Sequence, residues 1–255
     1  MKNIKIYHYL QDTIAKKGAA YFILVDPDKL PLDNAPEFAK HCEQAGVDGF
    51  LVGGSIIMSG NLYECIDKLK SNCSIPVITF PGGAEQITPN ADAILYLSLI
   101  SGRNADQLIG KHVLAAPYIK KIGIEPIATG YMLIESGKQT AAEYISNSKP
   151  IPRNKPEIAA STALAAEYMG MKLIYLEAGS GAENSVPNEM VKMVSQFCSI
   201  PVIVGGGIRD AKTALEKVNN GASVIVTGNH FEDESNWGKI KDFADAVHTK
   251  IPKSV

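Results

Sequence analysis

The sequence predicts an α/β protein, a single (β/α)8 TIM barrel spanning residues 1–255, and three observations carry that expectation. Short apolar runs alternate with helix-patterned segments about every 30 residues, the rhythm of parallel strands joined by right-handed crossovers. The runs are apolar at consecutive positions rather than alternate ones, as in strands buried on both faces. A short internal repeat links strands four apart: Cys73-Ser74-Ile75-Pro76-Val77-Ile78 recurs as Cys198-Ser199-Ile200-Pro201-Val202-Ile203, and Gly54-Ser55 recurs as Gly179-Ser180 at the same offset. Eight strands alone suit an open sheet or a barrel; a four-strand repeat within eight suits a barrel of two equivalent halves.

Taken in order, residues 3–17 place Ile4, Tyr7, Leu10 and Ile14 at helical spacing, ending near Gly18. The first strand is Ala20-Tyr21-Phe22-Ile23-Leu24-Val25, stopped by Asp26-Pro27-Asp28-Lys29, with a helix over 34–45. The second is Gly49-Phe50-Leu51-Val52, with a helix over 61–70. The third is Pro76-Val77-Ile78-Thr79-Phe80, and the fourth Ala93-Ile94-Leu95-Tyr96-Leu97. A helix is expected over 104–115, and a fifth apolar stretch from Ile122 to Leu133. Pro150, Pro152 and Pro156 make 138–156 a loop or broken helix. An Ala-rich helix over 157–169 precedes the sixth strand, around Leu173-Ile174; Pro201-Val202-Ile203-Val204 and Ser223-Val224-Ile225-Val226 are the seventh and eighth. A last helix, with Trp237, is expected from Asn236 to His248.

Composition narrows the class. Hydrophobic residues make up 45% and charged residues 20% of 255, ordinary for a globular enzyme of one-barrel size. A net charge of −2 gives no electrostatic case for nucleic acid. Cys42, Cys65, Cys73 and Cys198 form no CxxC pair and no zinc spacing, so reduced structural thiols in a cytoplasmic setting are expected. No signal core and no run of ~18 apolar residues is present, so no transmembrane anchor is expected.

Chemistry concentrates at strand ends. Tyr175-Leu176-Glu177-Ala178-Gly179-Ser180-Gly181, Gly205-Gly206-Gly207-Ile208-Arg209 and Thr227-Gly228-Asn229 each close an apolar run with glycine. Glycine there lets backbone N–H groups approach an anion, and loops after strands seven and eight commonly hold phosphate in this fold. Tight βα turns are the competing account. Arg209 offers a charge-assisted contact to such a phosphate, although Arg209-Asp210 opening a helix reads more readily as a surface pair. Tyr175 and Glu177, two apart, share one side of their strand. Near the mouth Glu177 would accept substrate hydroxyls or act as general base; a structural glutamate bonded between strands is the alternative. Asp26 and Ser55 end adjacent strands and offer oxygen donors for Mg²⁺ if substrate completes the site, although Asp-Pro-Asp also serves as a turn or cap.

Together Val25-Asp26-Pro27-Asp28-Lys29, Val52-Gly53-Gly54-Ser55, the Tyr175–Gly181 run, Val204-Gly205-Gly206-Gly207-Ile208-Arg209 and Thr227-Gly228-Asn229 resemble the geranylgeranylglyceryl phosphate synthase family, which includes bacterial heptaprenylglyceryl phosphate synthases. The Ala-Gly-Ser-Gly form is similar to the second of its two sequence groups. The resemblance implies a TIM barrel transferring a long prenyl group from its diphosphate to the 3-hydroxyl of sn-glycerol 1-phosphate. It implies Mg²⁺ on Asp26 and Ser55 and glycerol phosphate on Tyr175, Leu176, Glu177, Ala178, Gly179, Ser180, Gly181, Gly206, Gly207, Gly228 and Asn229; Glu177, read independently, is then placed as the catalytic residue that orients or deprotonates the attacking hydroxyl. A first-group lysine two positions before the metal aspartate is Leu24 here, so no basic residue is carried over. An apolar groove is expected along Gly130-Tyr131-Met132-Leu133-Ile134 and Tyr96-Leu97-Ser98-Leu99-Ile100, with Tyr131 facing substrate; both stretches also suit plain core. A homo-oligomer is expected, with at most transient membrane contact. A sugar-phosphate isomerase or lyase, or a non-catalytic phosphometabolite-binding barrel, are the alternative readings. Neither explains the Asp26–Ser55 pole and Glu177 together.

Overall fold

The computed structural model describes residues 5–250, so Ile4 of the first predicted helix lies outside the described residues. Eight parallel strands close in chain order: β1 (Ala20–Val25), β2 (Gly49–Val52), β3 (Val77–Thr79), β4 (Ala93–Leu99), β5 (Glu125–Leu133), β6 (Leu173–Glu177), β7 (Val202–Gly205) and β8 (Val224–Thr227). β8 pairs back onto β1 from Ala20↔Val224 to Ile23↔Thr227, which leaves no free sheet edge. Around it lie α1 (Ile6–Lys17), α2 (Ala35–Ala45), α3 (Leu62–Lys70), α4 (Lys111–Ile122), α5 (Ala141–Ser146), α6 (Pro156–Tyr168), α7 (Asn188–Phe197), α8 (Ala211–Asn219) and α9 (Ile240–Val247).

Alternation along each strand divides the core in two. Phe22, Leu51, Ile78, Leu95, Ile127, Tyr175 and Ile203 fill the barrel, while Ile23, Phe50, Val52, Ile94, Met132 and Ile174 pack outward against the helices. The α1 stripe plugs the barrel's N-terminal end, with Leu10, Tyr7 and Ile14 packed on the interior cluster.

Several boundaries differ from expectation. Between β3 and β4 only one 3₁₀ turn forms, Ala84–Gln86, because Pro81-Gly82-Gly83 and Pro89-Asn90 interrupt any helix. The expected helix over 104–115 is a π turn, Asp106–Gly110, followed by α4 as far as Ile122. Ile122 is therefore helical, and Gly123 at φ +73° ends α4 before β5. The 138–156 segment contains short α5, capped by the Thr140 side chain and stopped by Asn147 at φ +48°. Trp237 lies in a 3₁₀ turn, Glu234–Lys239, ahead of α9.

The internal repeat has a physical counterpart. The backbone N–H and hydroxyl of Ser74 bond Glu43 on α2, and those of Ser199 bond Glu167 on α6. The two half-barrels tie a helix carboxylate to the start of the equivalent strand. All four cysteines are free thiols. No described helix is long and apolar enough to cross a membrane.

A buried carboxylate clasps the chain ends at the N-terminal pole. Asp48, 2% exposed, takes the Tyr21 N–H and His248 Nε2, each at 2.8 Å, and pairs with Lys17. These partners come from β1, the residue after α9 and α1. Removing one member of a buried ionic cluster leaves the others unpaired, which costs about 3–5 kcal/mol. Asp48→Ala is expected to lower stability by about 3 kcal/mol in chemical denaturation; a midpoint within error of the parent would contradict the clasp.

Candidate active site

The C-terminal ends of the strands open onto a cavity of about 780 Å³, bordered by Asp26, Ser55, Tyr131, Tyr175, Glu177, Gly179–Gly181, Gly206-Gly207 and Gly228-Asn229. The expected acidic and glycine-rich ends therefore meet in one space. Two glycines are required by geometry. Gly206 and Gly207 have φ of +81° and +68°. A Cβ on Gly206 would lie 2.5 Å from Glu177 Oε1 and 2.6 Å from Gly179 N; one on Gly207 would lie 2.8 Å from Ser185 N. The β7 end is thus seated directly on the backbone after β6. The Ser180 hydroxyl donates to Asn229 Oδ1 at 2.6 Å, joining the β6 and β8 ends. The glycine-rich backbone of three adjacent strand ends borders one concavity, a setting suited to a phosphate.

Glu177 lies on the interior side at the last position of β6, 6% exposed. Its Oε1 accepts the Gly179 N–H at 2.6 Å. Burial pushes the carboxyl up to about 7, while the Gly179 N–H and the nearby Tyr175 hydroxyl hold it partly down. Such a group exchanges a proton near neutral pH, the condition for an effective general base. Tyr175 stands beside it, fully buried, with its hydroxyl unaligned for any hydrogen bond and held protonated by burial. An unsatisfied buried hydroxyl facing a cavity is a ready partner for a ligand oxygen.

Tyr175, Tyr131 and Phe80 form an aromatic floor. Phe80 and Tyr175 stack at 5.3 Å, and Tyr131 meets both edge-on, at 5.7 and 5.4 Å. Tyr131, Phe80, Gly54, Ser55, Ala142 and Ile145 also border a second, apolar cavity of about 130 Å³. The β3–β4 connection holds a single 3₁₀ turn, and the cavity lies between that turn, β4 and the α4 side chains His112, Ala115 and Ile119. Leu95, Leu97 and Leu99 reach it from the interior side, Ile94 and Tyr96 from the helix side. At its polar end Lys111 donates to Gly82 O at 3.2 Å, and His112 Nε2 meets Ser98 Oγ at 3.0 Å. Burial lowers the His112 pKa.

The two aspartates of Asp-Pro-Asp divide their roles. Asp28 accepts the Met58 and Ser59 N–H groups at 2.6 and 2.9 Å, which lowers its pKa and fixes the segment after β2. Asp26 faces the cavity; its Oδ1 accepts the Asp28 N–H at 3.0 Å and its Oδ2 lies 3.6 Å from Lys29 Nζ. A Cβ on Gly54, next to Ser55, would lie 3.6 Å from Asp26 Oδ1, so the β1 and β2 ends are close neighbours.

Some expectations need correction. Leu176 and Ala178 point outward into the helix layer, as alternation along a strand requires, and the Ala178 N–H is used on Gly205 O. They shape the β6 end without bordering the cavity. Gly130, Met132, Ile134 and Ile100 are helix-side packing, Gly130 lying against Ile100, Met171 and Ala166. Only Tyr96, Leu97, Leu99 and Tyr131 of the two expected groove stretches reach the apolar cavity. Arg209 pairs with backbone, donating to Ala182 O at 2.5 Å and Glu183 O at 3.2 Å, while Asp210 caps α8 on Thr213 N. Leu24 abuts Gly228 at the cavity wall. Phe80, Lys111, Ala142 and Ile145 escaped the sequence reading; the Pro-Gly-Gly after Phe80, where a helix should begin, was the available signal.

The sequence profile of the PcrB family matches residues 11–247. The geranylgeranylglyceryl phosphate synthase of Chitinophaga pinensis is 46% identical over 248 residues, 97% of this chain and 98% of the relative. The synthase of that name from Pyrococcus horikoshii is 39% identical over 248 residues, 97% and 96% of the two chains. The crystal structure of (S)-3-O-geranylgeranylglyceryl phosphate synthase from Thermoplasma acidophilum, in complex with its substrate sn-glycerol-1-phosphate, superposes with a TM-score of 0.87 at 33% identity, covering 94% of this chain and 98% of that one. The chain belongs to the PcrB family, among the geranylgeranylglyceryl phosphate synthases.

Proposed function

We propose that this prenyltransferase joins a long-chain prenyl diphosphate, geranylgeranyl diphosphate in the first instance, to the 3-hydroxyl of sn-glycerol 1-phosphate. The observation that carries the reading is the wall shared by the two cavities. A phosphorylated polyol suits the glycine-rich side, a prenyl chain the apolar side, and both meet at Ser55, Phe80 and Tyr131. The named substrate of the Thermoplasma acidophilum relative supports the acceptor. The apolar cavity is close to the roughly 150 Å³ that admits a benzene, so a C20 chain must continue beyond its enclosed part.

In this reading Gly206-Gly207 and Gly228-Asn229 hold the phosphate, and Tyr175 and Glu177 hold the glycerol hydroxyls. Glu177 takes the proton of the 3-hydroxyl as that oxygen bonds to the first prenyl carbon. The bond from that carbon to diphosphate breaks, and the electron pair leaves with diphosphate. The aromatic floor excludes water from the electron-poor carbon. Asp26 and Ser55 are the proposed protein ligands of Mg²⁺, an all-oxygen set suited to a hard cation that keeps positions for substrate oxygens. When bound, Mg²⁺ supplies charge neutralisation for the leaving diphosphate. Among the described residues there is no group of three or more His, Cys, Asp or Glu side chains placed to hold a metal ion.

Radiolabelled sn-glycerol 1-phosphate incubated with C15 to C35 prenyl diphosphates and Mg²⁺ should yield organic-extractable label, most with C20. No label with any donor would refute the reading. Asp26→Ala is expected to lower turnover at least ~100-fold while leaving glycerol phosphate affinity within about threefold. Unchanged turnover in the folded variant would remove Asp26 from the metal site. Glu177 acts as base in its ionised form, so kcat/KM should fall about tenfold per unit as pH drops below about 7. Glu177→Gln should lose that acid limb and ~10²–10⁴-fold in kcat; a persisting limb would assign it to another group.

A further inference from the structure

The segment after β6 carries half of the phosphate pole, and cations hold it from behind. Arg209, just past β7, caps the carbonyls of Ala182 and Glu183. Arg153, between α5 and α6, donates to Glu135 O at 3.0 Å and Ser185 O at 3.3 Å. Lys217 on α8 is 3% exposed and donates to Val186 O at 2.7 Å and Asn188 Oδ1 at 2.6 Å. Asn184, in the middle, bonds Ser136 O through its N–H at 3.1 Å and its side-chain amide at 3.2 Å. Each residue from 182 to 186 is thereby tied, through its carbonyl or amide, to one of four anchors: Arg209 for 182 and 183, Ser136 for 184, Arg153 for 185 and Lys217 for 186.

Burying a lysine on one backbone carbonyl and one side-chain amide oxygen is a costly way to fill space. Desolvation lowers the Lys217 pKa; the nearby Glu216 charge opposes that, and the Arg153 charge adds to it. Among the described residues none of the three forms an ion pair with a carboxylate. What they gain is a fixed backbone and a field of positive charge behind it. The segment bears directly on the pole: Ser185 N and Asn184 C lie 2.8 and 3.0 Å from the Cβ position of Gly207. Gly179 and Gly181 both take positive φ, so the turn between β6 and this segment has a shape that few other residues adopt.

We propose that Arg153, Arg209 and Lys217 are positioning residues for glycerol phosphate, acting through the 182–186 backbone to hold the Gly179–Gly181 and Gly206-Gly207 ends in their binding geometry. Arg209 borders the cavity, but its guanidinium is engaged by Ala182 and Glu183. The role rests on the reading of these ends as the glycerol phosphate site.

The test compares the full chain with Lys217→Met, Arg153→Gln and Arg209→Lys. Without ligand, amide hydrogen exchange across 179–186 should rise about tenfold in Lys217→Met, with other strands unchanged. KM for sn-glycerol 1-phosphate should rise about tenfold, while kcat and the KM for prenyl diphosphate stay within twofold; Lys217→Arg should recover part of the loss. Should Lys217→Met fail to fold, Arg153→Gln, on a surface connection, carries the same readouts. Unchanged exchange, or equal rises in both KM values, overturns the proposal. Failure of the parent chain to bind sn-glycerol 1-phosphate would refute the site reading instead, and the exchange result would then decide the clasp alone.

Discussion

A carboxylate sealed at the floor of the barrel mouth governs the arrangement around it. Glu177 sits where β6 ends, and its Oε1 takes the first N–H of the glycine-rich turn that follows. That bond orients the turn. The lack of a Cβ on Gly206 lets β7 approach the same oxygen, and burial brings the proton affinity of the group close to neutral pH. A longer or apolar side chain would lose all three at once. Closure of the barrel makes this economical, because parallel strands deliver all their C-terminal ends to one face.

The second constraint is a missing helix. In a regular barrel each strand is followed by a helix that covers its outer face; here β3 is followed by a single 3₁₀ turn. There β4 contributes from both of its sides to one apolar cavity, beside Ser55 and Tyr131. In the proposed reading, this apolar cavity takes the hydrocarbon chain and leaves the glycine-rich mouth, where this fold ordinarily binds small phosphates, unaltered.

Much of this was legible in the sequence, for physical reasons. Doubly buried parallel strands read as uninterrupted apolar runs, so Ala20–Val25 and Val224–Thr227 matched their expected strands closely. The Cys-Ser-Ile-Pro repeat marked equivalent strands because each serine performs the same capping task. Glycine-rich ends were visible because positive φ restricts the choice of residue. What stayed hidden depends on direction and distance. Alternation sends Leu176 and Ala178 outward although they lie within the most telling motif. Arg209 resembled a surface partner of Asp210 because sequence adjacency hides a backbone carbonyl 27 positions away. The α4 boundary slipped because Ile122 and Ile124 look like strand while Gly123 stops the helix between them.

The most direct test of the account is a crystal structure with sn-glycerol 1-phosphate bound. The account predicts the phosphate on the backbone of Gly206-Gly207 and Gly228-Asn229, and the 3-hydroxyl within hydrogen-bond distance of the Glu177 carboxylate, pointing toward the Phe80–Tyr131 wall. A phosphate seated at Asp26 and Ser55, with the 3-hydroxyl remote from Glu177, would contradict it.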